Sequence, residues 1–156
     1  MGEKKRRLAA KIPGSAPYYA EVIRQGFRAF ETGDRVRAAH ALSVLFAASP
    51  GDADVLNGAG LLGIQIWQPD LAEKLLLRAI EQRPEHPLYR CNLAIACRHL
   101  GKPGAAIEQI NIALGIDPGL AEAHATLGNL LLDSGNIKAA ARSFERSLAI
   151  HGNCPE

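Results

Sequence analysis

Five histidines, three cysteines and one glycine-rich run carry most of the chemical potential of this 156-residue chain. A metal centre needs imidazole, thiolate or carboxylate ligands at spacings that one helix or turn can bring together. His40, His86, His99, His124 and His151 form neither HxxxH nor HExxH. Cys91, Cys97 and Cys154 show neither CxxC nor a zinc-finger spacing. His99 and His124 fall where neighbouring helices could bring them together, but a solvated or core-edge imidazole is the favoured reading. "GAGLLG" (Gly58–Gly63) lacks the preceding strand of a phosphate cradle and falls inside a helical pattern, where its glycines read as close helix contacts. GxSxG and Walker loops are absent from the sequence. No catalytic, cofactor-binding or metal-ligating set converges, so the chain is expected to be a non-enzyme without cofactors.

The elements that would position any site are helices. Aromatics make up 5% of the residues while alanine and leucine abound, a bias toward close-packed helices over sheets. The chain also repeats itself every 34 residues. Four frames, 19–52, 53–86, 87–120 and 121–154, place Gly26, Gly60, Ala94 and Gly128 at one position. They place Ala38, Ala72, Ala106 and Ala140 at another, and Leu42, Leu76, Ile110 and Phe144 at a third. Gly33, Gly101 and Gly135 fit the left-handed position just past a helix end, and Asp34 and Asn136 fit the N-caps that follow. Pro69 and Pro103 fit first turns, and Pro50, Pro84 and Pro118 end the frames. Each frame therefore predicts two helices around a tight turn: 19–32 and 35–48, 53–66 and 69–82, 87–100 and 103–116, 121–134 and 137–150. Small residues let two backbones approach, and the bulky residue fills the space beside them.

This pattern resembles the tetratricopeptide repeat family, most clearly through Leu127, Gly128, Leu131, Gly135, Ala140 and Phe144. The resemblance covers 19–154, with residues 1–18 as a basic tail. It departs from the family at the aromatic eleventh place (Ala29, Gly63, Cys97, Leu131) and at Trp67, which stands where a turn glycine is expected. It implies an all-α fold, a right-handed superhelical stack of antiparallel helix pairs, with the first helix of each pair lining a concave face.

On that face the resemblance places Ile23, Arg24, Phe27 and Phe30, then Asn57, Leu61 and Ile64. From the later frames come Leu88, Asn92, Ile95, Arg98, Asn129 and Leu132. The family's carboxylate clamp fails, because Ile23, Phe27 and Gly58 occupy its Lys and Asn places. Of the family's repeated asparagine, only Asn92 is present. Much of the face is apolar, which leaves two readings: burial by curvature or by the tail, or a groove for an amphipathic helix or extended apolar segment. In the second, Arg24, Asn57, Asn92, Arg98 and Asn129 fix register by hydrogen bonds. The expected function is a protein- or peptide-binding scaffold, as in a bacterial secretion or assembly chaperone. The alternative is a regulatory or substrate-docking part of a larger enzyme such as a glycosyltransferase or sulfotransferase.

The remaining features set further expectations. Residues 1–18 hold Lys4, Lys5, Arg6, Arg7 and Lys11 against Glu3, a net +4 in a chain of net +2. They read as a solvated tail, as a charge-only contact for nucleic acid or acidic membrane, or as a short helix ended by Pro13. No aromatic interleaves these charges, which argues against single-stranded nucleic acid. Trp67 reads as packed on a neighbouring helix or as an interaction anchor. After Ile150 no polar helix covers the last second helix, so either the chain is a fragment or that face associates with itself or a partner. No apolar run is long enough to cross a membrane, and the start lacks a signal peptide's apolar stretch. Three cysteines without a pairing pattern fit free thiols in a reducing cytoplasm.

Overall fold

The computed structural model describes residues 13–152, and among them eight helices and no strand. They fall into two compact units, Met1–Gln82 and Arg83–Glu156. The first holds α1 (Ala16–Glu31), α2 (Arg35–Ala48), α3 (Ala53–Gln65) and α4 (Pro69–Gln82). The second holds α5 (Pro87–His99), α6 (Pro103–Ile116), α7 (Ala121–Asp133) and α8 (Ile137–Gly152). The expected contributions of Lys4, Lys5, Arg6, Arg7, Lys11 and Cys154 lie outside the described residues. Helices α1 and α8 differ from the sequence expectation by more than one residue. Helix α1 starts at Ala16 because the Ser15 hydroxyl accepts the Tyr18 amide hydrogen at 3.2 Å and Pro17 suits a first turn. Helix α8 runs on to Gly152.

Within each pair the two helices are joined by the same turn, built four times. The amides of Asp34, Gln68, Lys102 and Asn136 donate to the carbonyls of Ala29, Gly63, Cys97 and Leu131 at 2.8, 2.8, 2.9 and 2.8 Å. This six-to-one closure requires a left-handed residue just before each donor. Gly33, Gly101 and Gly135 supply it at φ 78°, 68° and 79°, and Trp67 supplies it at φ 59°. The caps fall as the sequence predicts: Asp34 Oδ1 accepts from the Arg37 amide at 3.0 Å, and Asn136 Oδ1 from Ala139 at 3.3 Å.

Trp67 corrects the reading that its ring packs on a neighbouring helix: the residue is 72% exposed. The turn holds its backbone left-handed and points the side chain outward. Left-handed backbone costs a non-glycine residue about 1–2 kcal/mol, and glycine's extra freedom in the unfolded chain returns part of the relief. Trp67→Gly is therefore expected to stabilise the protein by up to about 1 kcal/mol, seen as a higher urea midpoint. A lower midpoint would show that the ring contributes more than the turn strains.

The core of the first unit is aliphatic, and that of the second is built around an aromatic ring as well. Leu42, Leu45, Leu56, Leu62, Leu75 and Leu76 are fully buried in the first, and Tyr89 and Ile110 in the second. Small residues set the helix distances. A Cβ on Gly60 would lie 2.6 Å from Leu76 Cγ, and one on Gly128 2.6 Å from Phe144 Cε1. One on Gly26 would lie 2.4 Å from Leu62 Cδ2, which seats α3 on α1. The glycines of "GAGLLG" do the same work: Gly58 faces Ile23, Gly60 faces Leu76 and Gly63 faces Ala72.

Candidate peptide-binding faces

In the first unit α1 and α3 lie side by side, with Ile23 Cδ1 3.1 Å from where a Gly58 Cβ would stand. One turn further along, Phe27 follows Ile23 and Leu61 follows Gly58, so all four positions share one face. Ile23, Phe27 and Leu61 are half-buried, as are Phe30 and Asn57, while Ile64 is buried. Arg24 is exposed and bound back to its own helix: its Nε and one terminal nitrogen donate to Glu21 Oε2 at 3.0 and 2.6 Å. That bond, with a second from Gln25, holds the Glu21 carboxyl below the usual carboxylate range.

In the second unit α5 and α7 are the corresponding helices. Leu88 and Ile95 are half-buried, Asn92 is buried, and Asn129 is exposed. Leu132 is 50% exposed. Arg98 on α5 forms a bidentate pair with Asp133 on α7, one arm through Nε to Oδ2 and the other through a terminal nitrogen to Oδ1 at 2.9 Å. Sequence reasoning put Arg98 on this face without naming its partner. The signal is their offset of one period plus one residue, which brings adjacent first helices into register.

The pair has a pH consequence. The hydrogen bonds and charge of Arg98 lower the Asp133 pKa, and those of Asp133 raise the Arg98 pKa. A carboxyl lowered on folding stabilises the fold above its unfolded pKa, roughly 4, and loses that contribution as pH falls through the depressed value. The difference in urea midpoint between wild type and Asp133→Asn should therefore hold steady from neutral pH down to about 5 and shrink below about 4. A difference that grows on acidification would contradict the pairing. Both residues are well exposed, so the effect is small.

Cys91 and Cys97 are buried and form no disulfide. Burial, with the Glu122 carboxylate as a lesser cause, pushes the Cys91 thiol up to about 12. Burial, then the charge of Arg98, lowers the His99 pKa. A ring nitrogen of His124 lies 3.0 Å from the Pro118 carbonyl oxygen. Among the described residues no group of three His, Cys, Asp or Glu side chains could hold a metal ion. Nor is any described helix long and apolar enough to cross a membrane.

Antiparallel helix pairs closed by one repeated turn, with small residues setting the contacts, define an all-α helical-repeat protein. The chain belongs to the tetratricopeptide repeat family, which it matches over residues 68–121 and again over 121–153. Among curated relatives it is 31% identical over 120 residues to Protein FlbA of Caulobacter vibrioides, covering 77% of this chain and 20% of that protein. It is 24% identical over 151 residues to the heat-shock protein cognate co-chaperone sgt12 of Aspergillus fumigatus, covering 97% of this chain and 40% of that protein. The chain thus spans less than half the length of either relative. Among solved structures, MamA from Desulfovibrio magneticus RS-1 superposes with a TM-score of 0.68 at 20% identity, over 88% of this chain and 78% of that one. That likeness establishes the shared fold.

Proposed function

We propose that this chain is a non-catalytic protein-binding scaffold, made of four tetratricopeptide frames behind a basic tail, that takes up a helical or extended apolar segment. The observation that carries the reading is the α1–α3 face. Ile23, Phe27, Phe30 and Leu61 are only half-buried inside a folded unit, with backbone polar groups already used within the helices. Half-buried apolar side chains on a preorganised surface are what a few dominant binding anchors require. The α5–α7 face offers Leu88, Ile95 and Leu132 in the same role, with Asn129 as an open hydrogen-bonding group. Ile64 and Asn92 lie beneath these faces and shape them. Arg24 and Arg98 act through their present pairs with Glu21 and Asp133.

The co-chaperone relative supports a chaperone role for such a surface, and the two buried thiols support a reducing, cytoplasmic setting. Self-association through α8 belongs to the same reading, supported by Ile137 at 69% and Leu148 at 71% exposure. The test is selection of peptides on the wild-type chain, followed by affinity measurement on Phe27→Asp and Leu61→Asp. Loss of at least about tenfold in both supports the groove. Peptides that bind both variants as well as wild type would refute it.

The lengths of the relatives favour a second reading, in which this stretch serves as the docking part of a larger protein, an enzyme included. Intact mass of the protein isolated from its own cells separates the two.

A further inference from the structure

The first unit carries a second groove, on the other side of α1 from the proposed peptide face. It lies between α1 and α2, encloses about 650 Å³, and shares no residue with the face just described. Val22 and Ala29 on α1 and Ala41 and Val44 on α2 line it, at helical spacings of seven and three residues. Gln25, Arg28 and His40 also line it and are exposed.

The chain itself shows what such a stripe accepts. Thirty-four residues after Val22, Gln25 and Ala29 stand Leu56, Ala59 and Gly63 on α3. Those three are buried: Gly63 faces Ala72 on α4, and α3 also packs against α1 and α2. The stripe on α3 thus receives helices, and its counterpart on α1 opens into a cavity of the size that side chains from one helical face occupy. The two stripes differ in charge. Leu62, the counterpart of Arg28, is fully buried against Gly26, whereas Arg28 is exposed and acts through its charge on Glu21 of its own helix. His40 is exposed and makes no ion pair among the described residues, while Arg37 is already bound to Asp34 at 3.2 Å.

We propose that this groove docks an amphipathic α-helix of a partner protein, one that presents a stripe of small apolar residues with carboxylates beside it for Arg28 and His40. Charge selects this occupant over two others. Residues 1–12 carry Lys4, Lys5, Arg6, Arg7 and Lys11 against Glu3, the same sign as the groove's exposed Arg28. A second copy offering α8 would bring Lys138, Arg142 and Arg146 against a single Glu145, again the same sign. Like charges in close apposition disfavour both.

The experiment uses the full chain and two fluorescein-labelled synthetic helices of about twenty residues, one with an Ala/Leu stripe flanked by glutamates and one with lysines in their place. In fluorescence anisotropy the glutamate helix should bind at least about tenfold more tightly than the lysine helix, and less tightly as salt rises. Arg28→Glu should weaken the glutamate helix by about tenfold or more, and Val44→Asp should abolish binding. Phe27→Asp, on the peptide face, should leave it unchanged, which separates this groove from the function proposed above. Circular dichroism checks the fold of each variant, and the exposed Arg28→Glu keeps the test valid if Val44→Asp unfolds. Equal binding of the two helices, or binding lost with Phe27→Asp but kept with Arg28→Glu, overturns the proposal. So does a dimer in sedimentation that Val44→Asp dissociates, which would assign the groove to a second copy. A tenfold gain in affinity on Ile12→Asp would assign it to the chain's own start and overturn it equally.

Discussion

Gly60→Ala and Gly128→Ala should each destabilise the protein, by up to about 2 kcal/mol, against the ordinary trend that alanine strengthens a helix. Each new Cβ would arrive 2.6 Å from a packed atom, Leu76 Cγ in one case and Phe144 Cε1 in the other. Leu76 is fully buried and the intruded atom is its branch carbon, so it cannot swing aside; α3 and α4 must separate. Overpacking of this kind costs about 1–3 kcal/mol, and the roughly 1 kcal/mol gained from helix propensity offsets only part of it. Gly104 and Gly115 on α6 provide the opposite case, because nothing lies within 4 Å of an added Cβ at either. There alanine should gain up to about 1 kcal/mol. Urea midpoints of the four variants check both signs at once. Equal losses at Gly60 and Gly115 would show that helix contact is not what selects glycine at position 60.

The division between what the sequence discloses and what it conceals follows the range of the interactions. Helix ends, caps and turns are fixed by bonds spanning five residues or fewer, so Asp34, Gly101 and Asn136 could be placed by type and spacing. The small-against-large contacts recur every 34 residues, and repetition made Gly60 with Leu76 and Gly128 with Phe144 readable as pairs. The packed reading of Trp67 followed side-chain type, whereas the bonds from Trp67 and Gln68 back to Ile64 and Gly63 dictate a left-handed backbone whatever the residue. Depth on the candidate faces was concealed for another reason. Position in the frame reports direction from the helix axis but not how close the neighbouring helix comes. At Gly63 the Ala72 backbone nitrogen and Cα stand 3.3 Å from a would-be Cβ, and Ile64, which frame position puts on the open face, is only 7% exposed. The α1–α2 groove was missed because Val22, Ala29, Ala41 and Val44 are ordinary core types. Only the exposed Arg28, standing in register with buried Leu62, Ala96 and Leu130, marks the stripe as different.

Tyr89→Ala should be the most damaging single truncation in the second unit, by about 3–5 kcal/mol, the range for removing a buried aromatic ring. Tyr89 is 1% exposed, and its ring stacks on His86 with centroids 3.9 Å apart and planes inclined by 14°. His86 occupies the N-cap of α5 but makes no side-chain capping bond, and its Nδ1 is buried without a hydrogen-bond partner. The start of α5 is therefore held by ring packing, together with Pro87 in the first turn, rather than by the capping hydrogen bond that fixes α1 and α2. Tyr89→Phe keeps the ring and should lose no more than about 1.5 kcal/mol, the ordinary value of one hydrogen bond. His86→Ser, which trades the stack for a capping hydroxyl worth about 1 kcal/mol, should fall between the two. Denaturant unfolding orders the three variants, and a Tyr89→Phe loss as large as that of Tyr89→Ala would assign the effect to the hydroxyl instead. The consequence reaches the proposed binding face, because α5 carries Leu88, Ile95 and Arg98. A chain whose α5 is loosened at its start should lose affinity for a peptide seated on α5 and α7 while the α1–α3 face, on the other unit, keeps its own.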